Sequence, residues 1–349
     1  MDSLDQQPLP ERWTAWDCRA TRLAHAGLQA DDFAATVQAA LARHGAARVG
    51  LVLGTSASTI ASSEHAYRTL GADGGFPAAL RHPHLHSPHA VTAFVAQVLG
   101  VGGPVVTVST ACSSSARAFG QAERWLRLQL VDAVVVGGVD ALCDSVLYGF
   151  HALGLVSPAA CLPFDAARRG ISVGEAAGYA LLERAGPADD GPRLLGYGEA
   201  NDAHHMSSPH PQGRGAEQCL DEALARAGVR AEAIDYVNLH GTATPQNDAV
   251  EAALVARRYS DRVHASATKG LIGHAMGAAG IVEAALCLLA LQTGWRSGSA
   301  QLEQADPAFG PRFAGQLKGR PVQAPVALAA SHSFGFGGNN SVLVFGAAA

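Results

Sequence analysis

The sequence predicts an α/β fold built from two comparable halves, and three observations carry that reading. Short apolar, β-branched runs alternate with stretches whose apolar residues recur at helical spacing. The order of these runs before residue 185 is repeated in outline after residue 193. Between them, 185–193 (Ala-Gly-Pro-Ala-Asp-Asp-Gly-Pro-Arg) has the composition of a linker. The halves are therefore placed at 1–185 and 186–349.

Residues 1–47 carry the least pattern: 13–18 reads as a short strand and 34–44 as an amphipathic helix. Next, 48–54 is a buried strand closed by Gly-Thr-Ser. Residues 72–90, rich in Gly, Pro and His, read as a surface loop. Its histidines 82, 84, 86 and 89 raise metal ligation as a second reading, although the interleaved proline resists a regular element. The run 105–108 is a buried strand, and Phe119, Ala122 and Leu126 mark one face of the helix after it. A strand at 132–138, a helical or loop segment at 145–156 and a strand at 174–183 complete the first half. In the second half strands are expected at 194–198, 234–239, 263–267 and 341–345. Helices are expected at 215–227, 246–258 and 278–291, with 331–340 a glycine-dense turn.

Composition narrows the class. The chain of 349 residues is 48% hydrophobic, only 16% charged and holds 39 Gly, as a compact and well-buried enzyme does. A net charge of -5 offers no bulk attraction to nucleic acid or anionic membranes. The six cysteines (18, 112, 143, 161, 219 and 287) show no paired or metal-ligand spacing and read as the reduced thiols of a cytoplasmic protein. No apolar stretch is expected to reach the roughly 18 residues of a membrane span, and the acidic amino terminus is unlike a secretory signal. The protein is expected to be soluble and cytoplasmic.

Cys112 stands on a sharp strand-to-helix turn, followed by Ser113-Ser114-Ser115 where helix caps are favoured. Backbone N–H groups and the helix dipole there favour thiolate, which predicts a lowered pKa and a nucleophile. A lone cysteine also reads as a small buried hydrophobe, and this stretch alone leaves both readings open. Three distant segments add reactive groups at element ends: Asn238-Leu239-His240-Gly241-Thr242-Ala243-Thr244, Thr268-Lys269 with Gly273-His274, and the turn at 331–340. Each histidine alone is more often structural. Four such segments together point to a catalytic site.

These strings resemble the β-ketoacyl synthases of the thiolase superfamily, the condensing enzymes of fatty-acid and type II polyketide synthesis. The resemblance rests on Thr110-Ala-Cys-Ser-Ser, His240-Gly-Thr-Ala-Thr-Pro, Thr268-Lys with Gly273-His-Ala-Met-Gly-Ala-Ala-Gly280, and Ser333-Phe-Gly-Phe-Gly-Gly338. Pro163-Phe-Asp165 with Arg168, Gly170 and Gly174-Glu175 also fits, so agreement runs over about 48–346 in order. It implies a thiolase-like five-layered αβαβα fold of two duplicated halves, usually dimeric. It also implies an acyltransferase that condenses an acyl group on Cys112 with malonyl-acyl carrier protein, releasing CO2 and giving 3-oxoacyl-acyl carrier protein.

The roles that come with it are carried residue by residue. His240 and His274 polarise the malonyl thioester, and Lys269 orders the site with Glu283 as its buried partner. Glu283 also reads as an exposed helix residue. Asp248 is a structural acid near the site, and Thr242 and Thr244 bond the phosphopantetheine arm. The backbone N–H groups of Cys112 and Phe336 form the oxyanion hole, with Phe336 the gating aromatic. Phe150 and Ile171 line the acyl pocket or serve the ordinary core. No metal or cofactor of its own is implied, since substrates ride on the phosphopantetheine of acyl carrier protein. The partners implied are that carrier and a second ketosynthase-like subunit, identical or not.

The sequence departs from the family at several places. Residues 1–47 are fewer than usually precede the strand at 48–54, so the first strand is expected to be lost. His332 stands where Asn is usual, Asn339 where Thr is usual, and Arg169 where an acid often follows the arginine. Ile171 replaces a common Phe. These differences suggest specialised polyketide or polyene synthesis over housekeeping fatty-acid synthesis. The alternative is a chain-length-factor-like subunit that lends surface to an active synthase, although such partners typically lack the cysteine. A thiolase is disfavoured because 331–340 holds no second cysteine.

Overall fold

The computed structural model describes residues 2–186 and 190–347. Part of the linker at 185–193, residues 187–189, lies outside the described residues. Two sheets organise the rest. In the first, the wholly buried strand β1 (Val49–Gly54) lies parallel to both β2 (Val105–Val108) and β3 (Ala133–Asp140). Strand β4 (Ala176–Glu183) joins β3 antiparallel, giving the order β2-β1-β3-β4. The second sheet holds β5 (Arg193–Asn201), β6 (Tyr236–Asn238), β7 (His264–Ser266), β8 (Leu328–Gly335) and β9 (Asn339–Gly346) in the order β5-β9-β8-β6-β7.

Alternation of side chains along each strand sends successive residues to opposite faces, and both faces are apolar, so each sheet needs cover on both sides. Leu51, Leu53, Val135 and Val139 face outward onto the helices α1 (Arg19–Gln29), α2 (Phe33–His44) and α4 (Ala90–Leu99). A further helix, α3 (Ile60–Arg68), precedes α4 in the chain. Val52, Val134 and Val136 face inward and meet Tyr236, Ala329, Leu343 and Phe345 of the second sheet. Between these two inner faces run α5 (Ser114–Arg127) and α9 (Ala279–Thr293). The outer face of the second sheet is covered by α7 (Arg214–Ala227), α8 (Pro245–Arg258) and α10 (Gly310–Gln316). The result is five layers, αβαβα. Helix α6 (Asp144–Ala152) lies outside them with no fully buried residue.

The two sheets match strand for strand. β2-β1-β3-β4 corresponds to β7-β6-β8-β9, and β5, which pairs antiparallel with the far edge of β9, has no counterpart in the first half. Among the described residues nothing pairs with the far edge of β4. Its residues are only half-buried, whereas β9 is buried from Asn340 to Gly346. Among the described residues this edge of the first sheet is therefore open.

Four expectations need correction. The stretch at 13–18 is not a strand: Glu11–Trp16 forms a 3-10 turn, and Cys18 caps α1 through Thr21. The turn expected at 331–340 begins later, because 331–335 belong to β8 and only Phe336–Gly338 turn the chain. The loop at 72–90 contains two single helical turns, Ala78–Leu80 and Pro83–His86, and buries Leu85. Its histidines serve local structure: His86 bonds Ser63 and the Leu80 carbonyl, His89 bonds Thr107, and His84 stacks on Trp16. Finally, Met276–Thr293 is a helical stretch of 18 residues with mean hydropathy 1.6, long and apolar enough by composition to cross a membrane. It is apolar all round because α9 is sandwiched between two sheets, where Ile281, Ala284, Cys287 and Ala290 pack into the central core.

Candidate active site

Cys112 lies between β2 and α5 and is 7% exposed. The turn before it is forced: Ala111 takes φ +54, a left-handed conformation unusual for a residue with a Cβ. The serines hold that turn in place. Ser113 donates to the Thr110 carbonyl (2.9 Å), while Ser114 donates to the Ala111 carbonyl (2.6 Å) and accepts the Thr110 N–H (2.9 Å). Ser115 accepts the Ile281 N–H (2.9 Å), which ties the start of α5 to α9. The approach is possible only without side chains at Gly54 and Gly280. A Cβ there would lie 2.2 Å from the Ser115 nitrogen and 2.6 Å from the Ala116 nitrogen.

His240 follows β6, and His274 follows the single helical turn Lys269–Ile272; both are buried. His274 Nε2 lies 3.0 Å from Cys112 Sγ, and the two imidazole rings are 5.5 Å apart and nearly perpendicular. Their far nitrogens assign the tautomers. His274 Nδ1 accepts the Met276 N–H (3.1 Å), so its proton sits on Nε2. His240 Nδ1 faces the Lys269 ammonium at 3.4 Å, which can only donate, so its proton also sits on Nε2. Burial, then the Lys269 charge, push both imidazoles well below the usual histidine range, so they stay neutral. One ligating atom each from Cys112, His240 and His274 lies within 4.8 Å of the others, close enough for a metal. The tautomers argue for a different use: His274 turns an N–H donor, not a lone pair, toward the sulfur, and the other His240 nitrogen likewise carries its proton.

The expected lowering of the Cys112 pKa is reversed. Burial pushes the thiol up to about 11, and Lys269 with the N–H groups of Phe336 and Cys112 itself offsets this only in part. The helix dipole falls off within one turn, whereas desolvation acts on the whole charge. The resting group is a thiol. Phe336 reaches the sulfur because Gly335 has no side chain; a Cβ there would lie 2.9 Å from the Thr110 carbonyl and 3.2 Å from the Cys112 nitrogen.

Lys269, 1% exposed, pairs with Glu283, also 1% exposed, and donates to the His240 carbonyl at 2.5 Å. Burial raises the Glu283 carboxyl above the usual range and Lys269 pulls it back. Asp248 does not reach the imidazoles. It accepts the N–H groups of Phe164 (2.7 Å) and Ala243 (3.1 Å), so its role is to fasten the turn after His240 to a neighbouring loop. Thr242 and Thr244 share a 2.8 Å hydrogen bond at the wall of a cleft that opens onto Cys112. Phe150 and Ile171 line the same cleft, with the Phe150 ring 5.5 Å from that of Phe336.

Three buried acids escaped the sequence reading, and His332, noted there only as a departure from the family, gains a partner. Asp140, at the end of β3, accepts five donors, among them the N–H groups of Ser56, Ala57 and Gly277, and so anchors the His274 loop. Asp202, beside the cleft, accepts the N–H groups of His210 and Gly215 and an amide hydrogen of Asn340. Glu251 accepts the N–H groups of His240 and Gly241, each at 2.8 Å, and His332 bonds Glu251 in turn. A signal existed for Glu251: it sits three residues after Asp248 and so on the same face of α8.

Comparison with known proteins identifies the family and the fold. Residues 16–188 match the family described as "Beta-ketoacyl synthase, N-terminal domain", and residues 193–303 match its C-terminal domain. Nodulation protein E of Rhizobium meliloti (strain 1021) is 34% identical over 309 residues, covering 86% of this chain and 76% of that protein. A 3-oxoacyl-[acyl-carrier-protein] synthase 2 from the same organism is 38% identical over 261 residues, covering 69% of this chain and 60% of its own length. Among solved structures, a chain of the complex of the ketosynthase ApeO with its chain length factor ApeC from Xenorhabdus doucetiae superposes with a TM-score of 0.87 at 36% identity. That match covers 98% of this chain and 84% of that one. The chain belongs to the β-ketoacyl synthase family.

Proposed function

We propose that the chain is an acyltransferase that carries out decarboxylative condensation of an acyl thioester with malonyl-acyl carrier protein. The observation that carries this is the pair of neutral imidazoles presenting Nε2–H toward the space beside Cys112 Sγ. In the first step the Cys112 sulfur attacks the acyl thioester. The oxyanion is received by the N–H groups of Cys112 and Phe336, and the departing pantetheine sulfur leaves with the cysteine proton. In the second, the malonyl thioester loses CO2 and its enolate oxygen is held by the two Nε2–H donors. The enolate carbon then attacks the acyl carbonyl, and Cys112 leaves as thiolate and regains a proton from solvent. Two preorganised donors in a dry site stabilise the developing charge far more than water-exposed ones do. Lys269 keeps both histidines neutral donors, Thr242 and Thr244 bond the pantetheine arm, and Phe150 and Ile171 contact the acyl chain. The halves divide at 185/186, no cofactor of its own is required, and a compartment that keeps the six free cysteines reduced, the cytoplasm, suits the chemistry.

The carrier protein and a second ketosynthase-like subunit are the partners. The open edge of β4 and the pairing of ApeO with a chain length factor favour a second reading, in which the chain works only inside such a heterodimer. Incubating the purified chain alone with acyl-carrier thioesters and following its intact mass tests both. We expect one acyl group per chain, lost in Cys112→Ala. Acylation elsewhere, or none without a second subunit, overturns the self-sufficient reading.

A further inference from the structure

Strand β8 approaches the catalytic histidines from beneath on both faces. Ser333 points one way, to Glu283 under Lys269. His332, fully buried, points the other way, to Glu251. A carboxylate only accepts, so His332 Nδ1 donates to Glu251 Oε1 (3.0 Å), leaving Nε2 to accept the Tyr259 hydroxyl (2.8 Å). Glu251, also fully buried, holds the N–H groups of His240 and Gly241. Among the described residues His332 is its only basic partner. The turn it holds is tight: Gly241 takes φ +41, and a Cβ there would meet that of Ala267 at 2.5 Å.

We propose that His332 is a positioning residue that sets the aim of His240 by locking the Glu251 carboxylate under the His240–Gly241 turn. The proposal rests on the condensing reading, in which His240 works on the malonyl thioester. A buried carboxylate that loses one of its few donors reorients, and the two N–H groups it holds move with it. A misplacement of about 1 Å at a reacting group can cost roughly 100-fold. Acyl loading of Cys112 relies instead on its sulfur and the N–H groups of Cys112 and Phe336, which Glu251 does not touch. The two half-reactions should therefore respond differently.

The test compares the purified full chain with His332→Phe, His332→Gln, Glu251→Gln and the double variant His332→Phe/Glu251→Gln. Two rates are measured: acylation of Cys112 from an acyl-carrier thioester, and CO2 release from malonyl carrier. We expect His332→Phe to slow CO2 release by roughly 10- to 100-fold, with loading changed less than about twofold. Gln, which still offers an N–H to Glu251, recovers part of the loss, and the double variant is no slower than Glu251→Gln alone. An equal fall in both rates, no fall in either, or additive losses overturns the proposal. Should the Phe variant not fold, His332→Gln decides it by the same split. A wild-type chain that neither loads nor decarboxylates, alone or with a ketosynthase-like partner subunit, overturns the condensing reading itself and this proposal with it.

Discussion

Replacing Lys269 by Met tests the charged pedestal beneath the histidines. The change strands Glu283, 1% exposed, and removes the donor that the His240 carbonyl and Nδ1 share. Removing one partner of a buried pair costs about 3–5 kcal/mol, and at this depth no discount for solvent applies. With a urea slope of about 3 kcal/mol/M, the unfolding midpoint at pH 8 should fall by about 1–1.7 M. The pH dependence identifies the cause. Burial raises the folded pKa of Glu283, to about 7 with Lys269 present, and removing the ammonium raises it further. A carboxyl whose folded pKa is raised contributes stability below its unfolded pKa, about 4.3, and loses it as pH rises through the folded value. The deficit of Lys269→Met should therefore narrow to about 1–2 kcal/mol near pH 5, the share of the lost hydrogen bonds, and widen toward pH 8. Lys269→Met/Glu283→Gln should recover much of the loss at pH 8. A deficit independent of pH, with no recovery in the double variant, refutes the reasoning.

Four further outcomes follow from the same geometry. With its pKa near 11, only about one Cys112 in a thousand is thiolate at pH 8. Alkylation of Cys112 should thus rise about tenfold per pH unit from 8 to 10, whereas a plateau near pH 7 contradicts the buried-thiol description. Gly280→Ala pushes a Cβ to within 2.6 Å of the Ala116 nitrogen and should cost about 1–3 kcal/mol and slow acyl loading. Gly149→Ala, with nothing within 4 Å in α6, should be neutral or stabilise by up to about 1 kcal/mol in the same thermal melts. Hydrogen exchange should be faster at the amides of β4 than at those of β9, because among the described residues one edge of β4 is unpaired and that of β9 is covered by β5. Equal protection of the two strands would mean that something other than a strand covers the edge.

What the sequence revealed and what it hid follow from how local each signal is. Cys112 was legible because strand, turn and helix succeed one another within a dozen residues, and the serine caps belong to the same stretch. The histidine loops were legible as glycine-flanked ends of strands and turns. The sign of the Cys112 pKa was not, since the helix end acts locally while burial depends on three segments far away in the chain. Asp140 and Glu251 were hidden for a related reason. Each acts on backbone N–H groups of another loop, and such bonds leave no spacing to read. His332 showed only as a departure from the family, since its partners Glu251 and Tyr259 lie far away in the chain. Strand β8 was hidden because its last residues share the glycine-rich composition of the turn that follows. Helix α9 passed as membrane-like only in the structure, where its length became plain. Its cover by two sheets explains an apolar surface in which Glu283 is the single acid, met by Lys269 from outside the helix.

The central claim is that His240 and His274 stand as neutral imidazoles with their protons on Nε2, aimed at a buried thiol. Nitrogen–proton correlation spectra of the chain labelled with 15N-histidine, assigned through His240→Gln and His274→Gln, read those protons directly. At pH 7 we expect both residues in the Nε2–H form, with no imidazolium signal until well below the usual histidine pKa. Either residue found protonated on Nδ1, or doubly protonated near pH 7, contradicts the account.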